Sequence, residues 1–284
     1  MSVSAITLPA LWRKHIALPQ QHGSWVLWLG PYLTGLGIGG FLRPGLLWLS
    51  LASLGAFLAL QPLTVLVKAL CGRRTRDDIM PALFWLALYG LLIAAGAIGM
   101  VATGNAFVLL LGALAVPAVA WQLWLVTRKA ERHALWAEVT GTAALALAAP
   151  AALWVDAGFS TMGLWLWLLC ALQAGASITH VYAQLAYRRM AAVPALPQRW
   201  SLARLSVVWH VFNVAVAAGL AALGRAPALV ILPFVVVLAE SMYGDLMKPH
   251  VGVKPAVIGV RQMFVALIFA ALMIASYRLG GGQI

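Results

Sequence analysis

Within long apolar stretches, this chain gathers polar side chains at spacings that could do chemistry. Gln173, Ser177, His180, Gln184 and Arg188 fall at intervals that place all five on one helical face. Ser206, His210 and Asn213 form a second such face on the next apolar stretch. Elsewhere Gln61 and Lys68 share a face, His22 opens the first apolar stretch, and Glu138 stands early in another. Glu240 is followed by Tyr243 and Asp245, and Lys254 and Arg261 again share a face. Ionisable groups inside apolar helices are costly, so they face a cavity or one another.

Three chemistries compete for such faces. A metal or haem site would draw on His22, His180 and His210. No His pair at i,i+4 and no Cys–His cluster accompanies them, so no metal or cofactor is expected. Nucleophilic catalysis would need an elbow or a triad signature, and none is present. Anion binding fits best, because Arg73, Arg74 and Arg76 around Thr75 can hold a phosphate or carboxylate. The plainer reading of that loop is a cytoplasmic turn with Asp77 and Asp78 capping the next helix. Each polar residue also suits a simple interhelical hydrogen bond. Their gathering toward one membrane side points instead to a polar cavity open to the cytoplasm. The expected lining is His22, Gln61, Lys68, Arg74, Arg76, Ser177, His180, Gln184, Arg188, His210, Asn213, Glu240 and Arg261. No motif names a reaction or a catalytic residue.

The elements that must position these groups are membrane helices. Of 284 residues, 63% are apolar and 9% charged, where a soluble domain carries about 25% charged. Hydropathy predicts about nine spans near 23–41, 46–70, 80–102, 105–127, 134–155, 160–187, 203–223, 226–246 and 256–278. Alternate gaps sort the nineteen Lys and Arg residues: only Arg43, Arg225 and Arg278 fall on one side. The cationic side is the cytoplasm. The expected fold is therefore an all-α polytopic transmembrane bundle over 23–278. It has a cytoplasmic segment 1–22 and an external tail 279–284.

Leu8, Leu11, Trp12 and Ile16 among Arg13, Lys14 and His15 read either as an interfacial helix on the inner leaflet or as a disordered tail. The net charge of +12 suits loops facing anionic lipid, at about 1 kcal/mol per cation, and nucleic acid is not an expected partner. Cys71 and Cys170 give no disulfide framework. No internal repeat is evident, and an odd span count weighs against a two-fold inverted-repeat transporter.

The segment Pro19-Gln20-Gln21-His22-Gly23-Ser24-Trp25, running into the first span, resembles the YwiC-like family of bacterial membrane proteins. Ser177 to Tyr182, and Lys254-Pro255 with Ile258-Gly259, extend the resemblance. It implies a bacterial inner-membrane location and supplies no mechanism. The span count, the cytoplasmic amino terminus and the long inner loops also look like the UbiA prenyltransferase superfamily, in which Asp-rich motifs bind Mg²⁺ and a prenyl diphosphate. This chain departs from that pattern: 61–78 is acidic only at Asp77 and Asp78, and 180–204 has no acid. Lys68, Arg74 and Arg76 stand where diphosphate-contacting bases would be expected. The first functional expectation is thus a UbiA-like bundle binding an isoprenoid or other amphiphile with an anionic or polar head, with a transfer reaction on it. The alternatives are a small-solute or anion permease and a non-catalytic assembly subunit.

Overall fold

The computed structural model describes residues 11–19, 22–130 and 135–280, with only the backbone of His22. Leu8, Arg132, the tail beyond residue 280 and the His22 side chain lie outside the described residues. Among the described residues regular structure is entirely helical, and eight helices are long and apolar enough to cross a membrane. The chain divides into two compact units, one of residues 1–21 and 42–137, the other of 22–41 and 138–284.

The first unit is built on α1 (Lys14–Ala17), α3 (Gly45–Leu70), α4 (Ile79–Ala102) and α5 (Leu109–Thr127). Hydroxyls inside these apolar helices bond back to their own helix, as Ser50 does to the Leu46 carbonyl at 2.6 Å and Thr64 to Leu60 at 2.8 Å. That removes the cost of an unpaired polar group in lipid. α3 stops at a paired-bond cap: Gly72 N bonds Ala69 O at 3.1 Å and Arg73 N bonds Lys68 O at 2.8 Å. The motif needs a left-handed residue, here Gly72 with φ 68°. α5 ends the same way with Lys129 at φ 58°.

α3 and α4 approach closely where side chains are missing. A Cβ on Gly55 would stand 3.0 Å from Ile93 Cγ1 and 3.1 Å from the Tyr89 carbonyl. The amino-terminal segment is pinned onto this pair. Tyr89 Oη donates to Ala17 O at 2.9 Å, Gln61 Nε2 to His15 O at 3.0 Å, and Arg13 Nη1 meets Asp78 Oδ1 at 2.6 Å.

The second unit holds α2 (His22–Gly39), α7 (Ala148–Trp154), α8 (Thr161–Tyr187), α9 (Leu196–Ala222), α10 (Ile231–Met242) and α11 (Pro255–Leu279). It also takes most of α6 (Leu135–Leu145). α6 and α7 together make one spanning length, Leu135–Trp154. α2 packs against α7 and α11. Gly35 allows the first of these contacts, since a Cβ there would overlap the Ala149 carbonyl. α2 is 18 residues long and rich in glycine, and it stands outside the eight apolar helices.

α9 begins at Leu196, a full two turns earlier than hydropathy predicts near 203. Its polar start is stable because Arg199 is satisfied internally, through Pro194 O at 2.6 Å and Leu246 O at 2.8 Å. Tyr187 Oη also donates to the Arg199 carbonyl at 2.8 Å.

Candidate functional site

The polar faces of α8 and α9 meet the end of α10 inside the second unit. α10 is regular to Met242 and then widens into a π-helical turn over Tyr243–Met247. Lys248 N reaches back to Tyr243 O at 2.8 Å, closing the wider loop. Such turns often mark functional positions. Here the turn carries Asp245 into the interior, where it is fully buried.

Asp245 is the hub of a connected network. Its Oδ1 accepts from Gln184 Nε2 at 2.7 Å and lies 3.0 Å from His180 Nδ1. Its Oδ2 accepts from Ser241 Oγ at 3.3 Å. Ser241 Oγ lies 3.1 Å from Ser206 Oγ, and His210 Nδ1 lies 2.8 Å from the Ser206 carbonyl. In the other direction Gln184 Oε1 accepts from both His250 N at 3.2 Å and His250 Nδ1 at 2.7 Å. Arg261 Nη1 stands 3.0 Å from His250 Nε2, and Arg261 Nε donates to Glu240 Oε1 at 2.7 Å.

Donor logic fixes the protons at one end. Arginine can only donate, so His250 Nε2 is the acceptor and Nδ1 carries the hydrogen given to Gln184. His250 is thereby a neutral imidazole. Burial, then the Arg261 guanidinium beside it, lowers its pKa from the usual histidine range. Gly244 leaves the space this packing needs: a Cβ there would sit 3.2 Å from His180 Cε1 and 3.4 Å from Arg261 Nη2. The arrangement links two imidazoles, two carboxylates and a guanidinium through the Gln184 amide; a proton can pass directly between His180 and Asp245, while Arg261, which keeps its proton, ties Glu240 to His250.

The sequence-predicted residues divide between the units. His180, Gln184, Glu240 and Arg261 are brought into this one network, and His210 is buried beside it with its Nδ1 on the Ser206 carbonyl of its own helix. Ser177 accepts from Gln173 Nε2 at 3.2 Å, Asn213 Nδ2 donates to Leu172 O at 3.0 Å, and Arg188 Nε donates to Val253 O at 3.3 Å. Gln61, Lys68, Arg74 and Arg76 belong to the first unit. There Arg74 Nη1 lies 3.4 Å from Asp78 Oδ2, Arg76 is exposed, and Lys68 is half-buried in the last turn of α3. Among the described residues no group of His, Cys, Asp and Glu is placed to hold a metal ion.

Ser241 and His250 escape a reading by helical face, and Asp245 appears in it only as one polar residue among several. The π turn shifts Asp245 out of the register of Glu240, and His250 approaches from a loop. The i,i+4 pair Ser241–Asp245 was the available signal.

Residues 18–153 match the family model described as YwiC-like protein. Over that range the chain is similar to that family. The match covers the Pro19–Trp25 motif and bears out the resemblance drawn from it. The network residues from Gln173 to Arg261 lie beyond the match. No curated protein and no solved structure matches the chain.

Proposed function

We propose that this chain is a multi-pass protein of the bacterial cytoplasmic membrane. Its second unit couples proton exchange at His180–Asp245 to the passage of a small polar or anionic solute. In this reading α2 is the first of nine crossings, the amino terminus is cytoplasmic and the carboxyl terminus external. One observation carries the reading: a fully buried carboxylate on a π turn, 3.0 Å from a buried imidazole, joined by hydrogen bonds to a half-buried end at Glu240 and Arg261. Buried acid–imidazole chains in spans are characteristic of proton relays. Arg188, Lys254 and Arg261 supply cations near that half-buried end and would draw an anion toward it.

A second reading keeps the amphiphile. A largely apolar cleft among α2, α8 and α11 is lined by Leu27, Pro31 and Phe269, with Thr34, Gln173 and Ser177 among its polar members. It supports binding of an isoprenoid-type molecule, with a transfer reaction on its head and a UbiA-like arrangement of helices. The proton-coupled reading is preferred because the groups at the network's centre are bonded to one another.

The test uses purified protein in vesicles loaded with a pH-sensitive dye and offered a panel of small carboxylates and inorganic phosphate. At least one solute is expected to move protons faster than in protein-free vesicles. If every solute gives the protein-free rate, the coupled reading fails and the amphiphile reading gains.

A further inference from the structure

The cleft among α2, α8 and α11 contains a buried polar atom without a partner. Gln173 is 5% exposed, and its Nε2 donates to Ser177 Oγ at 3.2 Å. Its Oε1 is buried and has no hydrogen-bond partner. Exchanging the amide's oxygen and nitrogen would leave the nitrogen stranded instead. Either way a buried polar atom stays unpaired, at a cost of about 1–3 kcal/mol. Across the cleft α2 carries Pro31 within its helix. Proline has no N–H to offer the carbonyl four residues earlier, which is that of Leu27. Leu27, Pro31, Thr34, Gln173, Ser177 and Phe269 all line the cleft.

We infer that this cleft is a hydration site near the middle of the second unit, and that its water continues the proton chain beyond His180. The inference rests on the proton-exchange reading above. The cleft has a volume of about 40 Å³. A water needs roughly 10–15 Å³ of such space, so about three or four fit. Water has a hydrogen to give the Gln173 side-chain oxygen. A lipid chain has none, and would leave that acceptor unpaired in a low-dielectric setting. Ser177, which shares the bond to Gln173, precedes His180 by three residues on the same face of α8. The site therefore lies one helical turn from His180 on the same face of α8, between the Asp245 hub and α2. No other hydroxyl on α2 is better placed to join it than Thr34, which lines the cleft and bonds its own helix at Gly30 O, 2.8 Å away.

The experiment separates this site from the function it deepens. Protein labelled with ¹⁵N at glutamine side chains is placed in lipid bilayers, and magnetisation is transferred from water to the amides. The Gln173 signal is assigned by its loss in Gln173→Leu. We expect strong transfer at Gln173 in the unsubstituted chain. Filling the cleft with Ala266→Leu should abolish that transfer, leave it unchanged at Gln61, and slow solute-driven proton movement at least tenfold. If Ala266→Leu does not fold, Ala270→Val replaces it. Absent transfer at Gln173, or transfer that survives filling, overturns the hydration site. Transfer that is present while Asp245→Asn leaves proton movement unchanged defeats the proton-exchange reading and leaves the water in place.

Discussion

Replacing Asp245 with leucine tests whether the network holds the second unit together. The substitution removes the acceptor for Gln184 Nε2, His180 Nδ1 and Ser241 Oγ, now at 2.7, 3.0 and 3.3 Å. Each stranded buried donor costs about 1–3 kcal/mol. The losses overlap, because the serine hydroxyl can turn and the three share one site, so a total of about 3–5 kcal/mol is expected. At about 2–4 °C per kcal/mol for a chain of this size, Tm should fall by roughly 6–20 °C.

Asparagine is milder. Its oxygen can still serve Gln184, and its amide can donate to Ser241, for a loss of about 1–2 kcal/mol. Cys170 provides the assay, since it is buried while Cys71 is exposed. In a Cys71→Ser background, a thiol-reactive fluorophore reports exposure of Cys170 on heating. A Tm for Asp245→Leu within about 1 °C of the parent would refute the claim that these donors depend on Asp245.

Four further outcomes are expected. Unfolded histidine takes a proton below about pH 6.5, while folded His250 resists it because its pKa is lowered. The unfolded state therefore binds more protons there: stability is full above about 6.5 and falls as pH drops through that value. Melting followed by tryptophan fluorescence should show this slope, and His250→Gln should flatten it. Lys129→Gly should raise Tm by about 2–4 °C, because φ 58° costs a side chain about 1 kcal/mol. Gly35→Ala should destabilise by about 1–3 kcal/mol or more, since its Cβ overlaps the Ala149 carbonyl; an unchanged melt would contradict that contact. Reporter fusions after Gly45, Gly104, Gly158 and Gly224 should report outside, and those near Arg76 and Arg199 inside; one reversed loop would break the proposed topology.

The fold class was legible because lipid imposes strong rules on sequence. Apolar length and charge placement predicted helices within a few residues for Gly45–Leu70 and Thr161–Tyr187. The start of α9 was not legible, because Arg199 looks like loop until the carbonyls of Pro194 and Leu246 are seen beside it. The Gln173–Arg188 face was readable from 3.6-residue periodicity, and it does supply His180 and Gln184 to the network. Asp245 and His250 were hidden for a physical reason. A π turn breaks that periodicity, and a loop has none. Arg74 reads as an anion ligand, and its guanidinium lies 3.4 Å from the Asp78 carboxylate; their i,i+4 spacing was the available signal for that pair.

The central claim is that Asp245 exchanges protons as solute passes. Its most direct test is the rate of solute-driven proton movement into dye-loaded vesicles, comparing the parent chain with Asp245→Asn. The solute is the panel member that moves protons fastest in the parent. The thiol assay first establishes that the variant is folded at the assay temperature. The account predicts a rate at least tenfold slower in Asp245→Asn. Equal rates in the two proteins would contradict it.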